Sequence, residues 1–359
     1  MYDNDNNDYI DYEENIPEYF ETFDEALKKG INPGYFESDE LCEIIDIYFS
    51  EWKIDEAKFT IDYALKLYPN NEDLVYEILS LLNDYEAWND LLTLCEQYSK
   101  HNYVWNDAHK LSALLHLGME EDAFQCFKIM KSKYAENKED LSTIYQAMGE
   151  ALFEVDLFDA SIEVIDEAIS ILGESIDFLW VQLQGFAELN DKENVIGLGN
   201  HIQNINPMDA EIWNGLGDTY RDIGEMEKAV EAYEFAQSLG LKDPSNLLNA
   251  IYAYEKNGNY IKALQKAEEY LIEYADSYLV NLLAIDICSE MEDWAKGIEF
   301  IESAIRLEPY VVALYLYLCK FYLKLGETVK AIKALEEGIK NTEDVHGELK
   351  EQLKKLKNI

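Results

Sequence analysis

Apolar residues recur at three- and four-residue intervals along most of this chain, with small residues at fixed places among them. In WNGLGDTYRDIGEMEKAVEAYEFA, residues 213–236, Trp213 is followed by Leu216, Gly217 and Tyr220 at these intervals. Such spacing places the side chains on one face of an α-helix. With only six prolines and seventeen glycines in 359 residues, the chain has room for long uninterrupted helices. The pattern therefore predicts an all-α protein.

The same pattern returns every 34 residues. The counterparts at this step are Tyr254, Cys288 and Tyr322 for Tyr220, Gly258, Glu292 and Gly326 for Gly224, and Ala263, Gly297 and Ala331 for Ala229. Small residues at fixed places, with large apolar ones between them, are what a stacked helix-turn-helix array requires. We expect the residue at the Gly224 position to end the first helix, and the residue at the Ala229 position to let the second helix lie close.

Residues 210–243 resemble the tetratricopeptide repeat family. The family pattern has Trp, two residues, Leu-Gly, two residues and Tyr, followed by Ala, an aromatic residue and Ala, and nearly all of it is present here. The late proline of the family corresponds to Pro69, Pro207 and Pro309. This resemblance implies a right-handed superhelical solenoid of stacked helix-turn-helix repeats. It also implies that Trp213 packs between helices.

The 34-residue register divides most of the chain into nine predicted repeats. Their boundaries are 38–71, 72–103, 104–141, 142–175, 176–209, 210–243, 244–277, 278–311 and 312–345. The second repeat is two residues short, and the third carries four extra residues. Because a solenoid needs a polar cap at each end, we expect further helices outside this array.

The two end segments have compositions that suit this role. Residues 1–37 are predicted to form an acidic, partly disordered segment, with residues 1 to about 15 disordered and a short cap helix carrying Phe20 and Phe23. Residues 346–359 are predicted to form a C-terminal cap helix, because Leu349 and Leu353 share one stripe with lysines opposite.

The charge of the chain bears on its partners. The net charge is −44, from 73 acidic and 29 basic residues. A surface of this sign repels nucleic acid and anionic lipid, so neither is expected as a partner.

The cysteines and the N-terminal residues bear on the compartment. Cys42, Cys95, Cys126, Cys288 and Cys319 are far apart with no CxxC pair, which favours reduced thiols. No apolar run reaches the length of a membrane span, and the N-terminal residues do not resemble a signal peptide. We therefore expect a cytoplasmic protein, unless a leader was removed.

The sequence contains no motif that would indicate catalysis. HExxH, GxxxxGK[ST], GxSxG and GxGxxG are all absent, so we expect no enzyme activity, no catalytic residue, no cofactor and no metal site. The GxG at Gly197 falls inside a predicted helix, where close helix packing is favoured over phosphate binding. His109 and His116 lie two helical turns apart, about 10 Å, which is too far for them to share one metal ion directly.

The resemblance implies where a partner would bind. In this family the first helix of each repeat lines an inner surface on which extended peptides lie. The inner positions of this chain supply the aromatic residues Phe153, Trp180, Tyr252 and Tyr317 and the charged residues Glu188, Asp218, Arg221, Asp222, Glu255, Lys256, Asp286 and Lys320. We interpret these twelve residues as candidate peptide-binding residues.

Two questions about these residues stay open at this stage. The acids form either a solvated face of an acidic protein or a groove that selects basic peptides. The aromatic residues are either exposed anchors for a peptide or core residues, since a register error of one residue would bury Trp180 in place of Leu179.

The predicted function is that of a non-catalytic scaffold or adaptor that binds a protein or extended peptide in its groove, a basic peptide being one alternative. The other hypothesis is a structural repeat protein that associates with itself through its ends or edges. The expected state is a monomer or a weak homodimer.

Overall fold

The computed structural model describes residues 17–101, 103–274, 277–342 and 347–357. In these ranges the chain forms twenty α-helices and one short 3₁₀ turn, and it contains no β-strand. The prediction of an all-α repeat fold is confirmed. None of the helices in the described part is long and apolar enough to cross a membrane. The chain divides into two compact units, residues 1–185 and 186–359, which are described separately.

The first unit contains helices α1 to α9 and the start of α10. Their bounds are α1 Glu18–Lys28, α2 Ser38–Ser50, α3 Ile54–Leu67, α4 Glu72–Asp84, α5 Trp88–Tyr98, α6 Val104–His116, α7 Glu120–Lys133, α8 Lys138–Glu154, α9 Phe158–Leu172 and α10 Ile176–Glu188. The 3₁₀ turn, Ser99–His101, follows α5. Phe20 and Phe23 of α1 are buried against the neighbouring helices. The predicted disorder of residues 1 to about 15 lies outside the described residues.

The second unit contains the remaining helices. Their bounds are α11 Lys192–Ile205, α12 Ala210–Asp222, α13 Met226–Ser238, α14 Pro244–Lys256, α15 Tyr260–Glu273, α16 Tyr278–Glu290, α17 Trp294–Leu307, α18 Val312–Lys324, α19 Thr328–Asn341 and α20 Glu348–Lys357. Each helix packs on the next one along the chain. At the end of the unit, Leu349 of α20 is fully buried in a cluster with Tyr315 and Leu335.

One residue in a left-handed conformation follows the first helix of every predicted repeat. These residues are Trp52, Glu86, Gly118, Asp156, Asn190, Gly224, Gly258, Glu292 and Gly326, with φ between 54° and 80°. After α12, the Glu225 N–H donates to the Tyr220 carbonyl (2.7 Å) and the Gly224 N–H donates to the Arg221 carbonyl (3.0 Å). This hydrogen-bond pattern is the common way to end a helix through a left-handed residue.

Glu292→Gly is expected to stabilise the protein. Glu292 has φ 56°, a conformation that costs an L-residue with a Cβ atom roughly 1 kcal/mol or more. Glycine adopts it freely but loses more entropy on folding, so the expected net gain in the free energy of unfolding is about 0.5–1 kcal/mol. Urea denaturation measures it. The control Glu231→Gly, at an exposed position inside α13, should instead lose about 1 kcal/mol. A loss with Glu292→Gly would contradict the argument.

Several glycines inside helices mark places where two helices touch. A Cβ atom added at Gly217 would lie 2.5 Å from Cε1 of the buried Tyr233, closer than van der Waals contact allows. Gly199 of α11 is blocked in the same way by Leu216 and the Tyr220 side chain, whereas Gly197 faces open space. The GxG at Gly197 is thus part of a helix, and its second glycine serves helix packing.

Trp213 is less buried than the repeat pattern predicts. Its indole N–H donates to the Pro207 carbonyl (2.9 Å), and its ring centroid lies 4.3 Å from that of the partly exposed Phe235. The fully buried large side chains of α12 are Leu216 and Tyr220. Trp213 lies in the first turn of α12, and its indole reaches back to the turn that precedes this helix. The expectation that it fills the space between helices is therefore wrong in part.

Candidate functional site

The first helices of the repeat pairs in the second unit carry most of the candidate residues. Hydrogen bonds join the polar side chains of α12 to those of α14. Asn249 Nδ2 donates to Asp218 Oδ1 (2.8 Å), and Asn246 Nδ2 donates to Asn214 Oδ1 (2.8 Å). The candidate positions on these two helices therefore lie side by side.

Asp218 is the acceptor at the centre of a hydrogen-bond network. Its Oδ1 accepts from the Tyr233 hydroxyl (2.7 Å) and from Arg221 Nη1 (3.0 Å), in addition to Asn249. Arg221 also pairs with Asp222 through Nη2 (2.9 Å). Burial raises the pKa of Asp218, although the Tyr233 hydrogen bond and the Arg221 charge lower it. Asp218 and Arg221 thus stabilise this part of the fold, and a role in partner binding stays a prediction.

Carboxylates recur on α12, α14 and α16, the first helices of three successive repeat pairs. We call Asp222, Glu255, Asp286 and Glu290 the acidic face. Burial raises the pKa of Asp286, and the charges of Glu255 and Glu290 raise it further, whereas Lys320 and Lys256 lower it. The charge of Asp286 on α16 is therefore coupled to charged groups on α14 and α18. Lys256 and Lys320 therefore offset only part of what raises the pKa of Asp286.

Tyr252 lies beside the acidic face on α14. Its side chain is 39% exposed, and Lys256 Nζ lies 5.1 Å from the ring centroid. The same lysine pairs with Glu255 (3.1 Å). Tyr252 is therefore an exposed aromatic surface with polar neighbours, as a peptide anchor requires.

Tyr317 and Lys320 lie on α18, at one wall of a cleft. Lys320 Nζ is 5.9 Å from the Tyr317 ring centroid. The Tyr317 ring also packs edge-on against the buried Phe321, with the centroids 6.4 Å apart, so this half-buried tyrosine has a packing role as well. The cleft, of about 570 Å³, has residues from α18 and α20. We call it the lysine pocket. The residues that line it include Leu316, Tyr317, Lys320, Leu323, Lys324 and Gln352.

The other candidates lie elsewhere. Phe153 of α8 is half-buried, with its ring centroid 5.4 Å from that of Phe158. Trp180 of α10 is also half-buried, whereas its neighbour Leu179 is buried. Both belong to the first unit. Glu188 is exposed and belongs to the second unit. The sequence did not point to Leu323 and Gln352, because the lysine pocket needs the placement of α20, which no repeat register supplies.

The two histidines of α6 are anchored to their own helix. His109 Nδ1 lies 2.7 Å from the Trp105 carbonyl, and His116 Nδ1 lies 3.0 Å from the Ser112 carbonyl. Burial lowers the pKa of His109, while His116 Nε2 lies 3.5 Å from Glu154. Among the residues that the structure describes, no group of three or more His, Cys, Asp or Glu side chains is arranged to hold a metal ion.

Asp286→Asn is expected to stabilise the protein at neutral pH. The raised pKa of Asp286 means that its carboxylate is less favourable in the folded than in the unfolded chain. Its destabilising effect is present above the raised pKa and disappears as the pH falls towards the ordinary carboxyl range. The variant should therefore melt at a higher temperature than the wild type at pH 7.5, and the difference should shrink as the pH is lowered towards the ordinary range of an aspartate carboxyl. Circular dichroism measures both. A difference that does not change with pH would contradict this assignment.

Comparisons with known proteins agree with the repeat pattern. The family model for the tetratricopeptide repeat matches residues 210–239. A TPR repeat-containing protein of Methanocaldococcus jannaschii is 23% identical over 341 residues, covering 90% of this chain and 54% of the relative. This chain thus spans about half the length of that relative.

One solved structure has a similar fold, and a second is similar over a larger part of the chain with a lower score. The C-terminal part of a TPR repeat-containing protein from Cytophaga hutchinsonii is 14% identical, with a TM-score of 0.51, over 65% of this chain and 95% of that one. A tetratricopeptide repeat protein from Parabacteroides merdae is 16% identical, with a TM-score of 0.43, over 76% of this chain and 99% of that one.

The fold defines a class of all-helical repeat proteins in which each helix packs on the next along the chain. Within that class, residues 210–239 match the tetratricopeptide repeat, and the chain is similar over most of its length to a protein that contains such repeats. Proteins of this family generally mediate protein–protein interaction or scaffolding, and they are typically non-catalytic.

Proposed function

We propose that this chain is a non-catalytic scaffold that holds a protein or extended peptide against the acidic face and Tyr252. The observation that carries the proposal is the exposed ring of Tyr252 beside Glu255 and Lys256 on α14, the helix whose Asn249 donates a hydrogen bond to Asp218 of α12. Burial and the charges of Glu255 and Glu290 raise the pKa of Asp286, so the carboxylates of this surface repel one another in the absence of a partner. A positively charged ligand is attracted to such a surface, because it offsets the repulsion between the carboxylates.

The partner that this environment favours is a basic segment. A lysine or arginine side chain placed among Asp286, Glu255 and Glu290 would relieve their mutual repulsion. Tyr252 adds apolar contact area at small cost in conformational entropy, as aromatic anchors do at other interfaces. The steering effect of the net charge of −44 would raise the association rate of such a segment at low salt. This supports the groove hypothesis over an inert solvated face.

The division into nine repeats, residues 38–345, is part of the proposal. Its support is the series of nine left-handed residues, each at the fifteenth position of a predicted repeat. The series also follows the two irregular repeats, since Glu86 and Gly118 are 32 residues apart, and Gly118 and Asp156 are 38 apart. We propose that the end segments, residues 1–37 and 346–359, cap the array.

The test is affinity capture from the native lysate with the wild type, Tyr252→Ala and a control, Tyr310→Ala. Tyr310 is 75% exposed and lies outside the acidic face, so its loss should leave capture unchanged. Loss of an aromatic anchor typically weakens binding by about 2 kcal/mol, or roughly thirtyfold, so Tyr252→Ala should lose the partner. Equal capture by all three proteins would mean that the partner binds elsewhere.

The alternative of a self-associating structural protein is separated by a different measurement. Exposed apolar side chains occur outside the acidic face in the second unit, with Ile272 83% exposed and Val329 70% exposed. If such residues mediate assembly, sedimentation velocity would show a mass that rises with protein concentration. A monomer that captures one defined partner favours the scaffold.

A further inference from the structure

The lysine pocket stands out against the charge of the rest of the chain. Helix α18, residues 312–324, contains Lys320 and Lys324 but no aspartate or glutamate, although the chain carries 73 acidic residues. A stretch of this length free of acids, with two lysines on it, is a local reversal of the protein's charge. The neighbouring helix α20 contributes Gln352, which is neutral.

The two lysines of the pocket differ from many others in their unit. Lys256, Lys262, Lys266, Lys296 and Lys330 each pair with a carboxylate. Lys320 and Lys324 form no ion pair with any carboxylate in the described ranges. They lie near aromatic rings instead, Lys324 Nζ being 5.3 Å from the Trp294 ring centroid. Both side chains are exposed, so their ammonium groups are available to a ligand.

The walls between the lysines are apolar. Leu316, Leu323 and Tyr317 line the pocket, and Leu323 is itself 38% exposed. An apolar wall flanked by two ammonium groups is complementary to an apolar side chain with carboxylates on either side. A purely apolar ligand would leave the lysines uncompensated, and a purely acidic one would leave the leucines in water.

We propose that the lysine pocket binds an acidic peptide segment, in which an apolar side chain enters between Leu316, Tyr317 and Leu323 and neighbouring side-chain carboxylates pair with Lys320 and Lys324. The inference rests on the proposed function, because it assigns a second, oppositely charged part of the partner to the same unit. Lys320 connects the lysine pocket to the acidic face, since its positive charge lowers the pKa of Asp286. A partner with a basic part and an acidic, apolar part would therefore bind in one direction only.

The test uses a phage library of random twelve-residue peptides, displayed with a blocked C-terminus, panned against the full chain. We expect the recovered peptides to be enriched in aspartate and glutamate next to leucine, isoleucine, phenylalanine or tryptophan. Their binding, measured by fluorescence anisotropy with the synthetic amidated peptides, should fall at least tenfold for the double variant Lys320→Gln/Lys324→Gln. The double variant Lys320→Arg/Lys324→Arg keeps the charge and should retain binding within about threefold.

The controls separate this inference from the proposed function. Basic peptides that lose binding with Tyr252→Ala but not with Lys320→Gln/Lys324→Gln, recovered without any acidic class, would support the acidic face and overturn the lysine pocket. Peptides whose binding changes neither with Tyr252→Ala nor with Lys320→Gln/Lys324→Gln would overturn both the acidic face and the lysine pocket as binding sites. Acidic peptides that bind only with a free C-terminal carboxylate, or binding of decanoate but no peptide, would also overturn it. So would self-association abolished by Lys320→Gln/Lys324→Gln, since the occupant would then be a second copy. Circular dichroism must show that the glutamine variant is folded.

Discussion

Gly338→Ala is expected to lower the free energy of unfolding by about 1–3 kcal/mol, although alanine is the better helix former. A Cβ atom at this position of α19 would lie 2.8 Å from Cβ and 2.7 Å from Cγ of Tyr315, and 3.0 Å from Cδ1 of Leu349. The Tyr315 Cβ atom is fixed by the backbone of α18, so no change of rotamer can move it away. The helices themselves must separate.

The loss should be local, because repeat proteins are held together by contacts between neighbouring helices. Leu349, the fully buried residue of α20, packs beside Tyr315, so the contact of the last helix with α18 and α19 would loosen when these two helices separate. Hydrogen exchange should show faster exchange of the α20 amides than of those in α12 to α16. An unchanged melting temperature together with unchanged α20 protection would show that the contact is not tight.

The matched control is Gly197→Ala. Gly197 also lies inside a helix, α11, but an added Cβ atom would meet nothing within 4 Å. The same substitution should therefore stabilise the protein by about 0.5–1 kcal/mol through helix propensity alone. Opposite signs at the two glycines would show that packing determines the effect of Gly338→Ala. Equal changes in the free energy of unfolding would mean that helix propensity determines both effects.

The sequence alone was sufficient to predict the fold because each repeat supplies its own evidence. Glycine at Gly224, Gly258 and Gly326 indicates a left-handed residue at the end of a helix. The period then carries that position to residues that give no such indication, such as Glu292 and Trp52, and both have positive φ. A single helix pair containing Glu292 would not have revealed its turn. At such residues the 34-residue period supplies the evidence for a turn that the local sequence lacks.

The candidate site was less accessible to sequence reasoning. The period assigns Asp218 to a face, but it does not show that the carboxylate accepts from Tyr233 and Asn249. It also gives no charge environment, so it cannot distinguish Lys256, which pairs with Glu255, from Lys320. The lysine pocket depends on where α20 packs. That position is set by side-chain fit outside the repeat pattern.

Tyr233→Ala is expected to lower the free energy of unfolding by about 3–5 kcal/mol. The ring is fully buried, packs against Gly217, and carries the hydroxyl that donates to Asp218. Its removal leaves a cavity that the backbone at Gly217 cannot fill. Tyr233→Phe, which removes only the hydroxyl, should cost about 1 kcal/mol.

Trp213→Ala should cost less than Tyr233→Ala, about 1–2 kcal/mol, although tryptophan is the larger residue and the more prominent one in the family pattern. Its indole is half-buried, so water replaces part of what the substitution removes and no closed cavity forms. The lost contacts are those with Phe235 and with the Pro207 carbonyl. Urea denaturation of the three variants, with hydrogen exchange to detect partial unfolding near α12 and α13, measures the order. If Trp213→Ala were as costly as Tyr233→Ala, the side chain would lie between the helices, as the repeat pattern alone predicted.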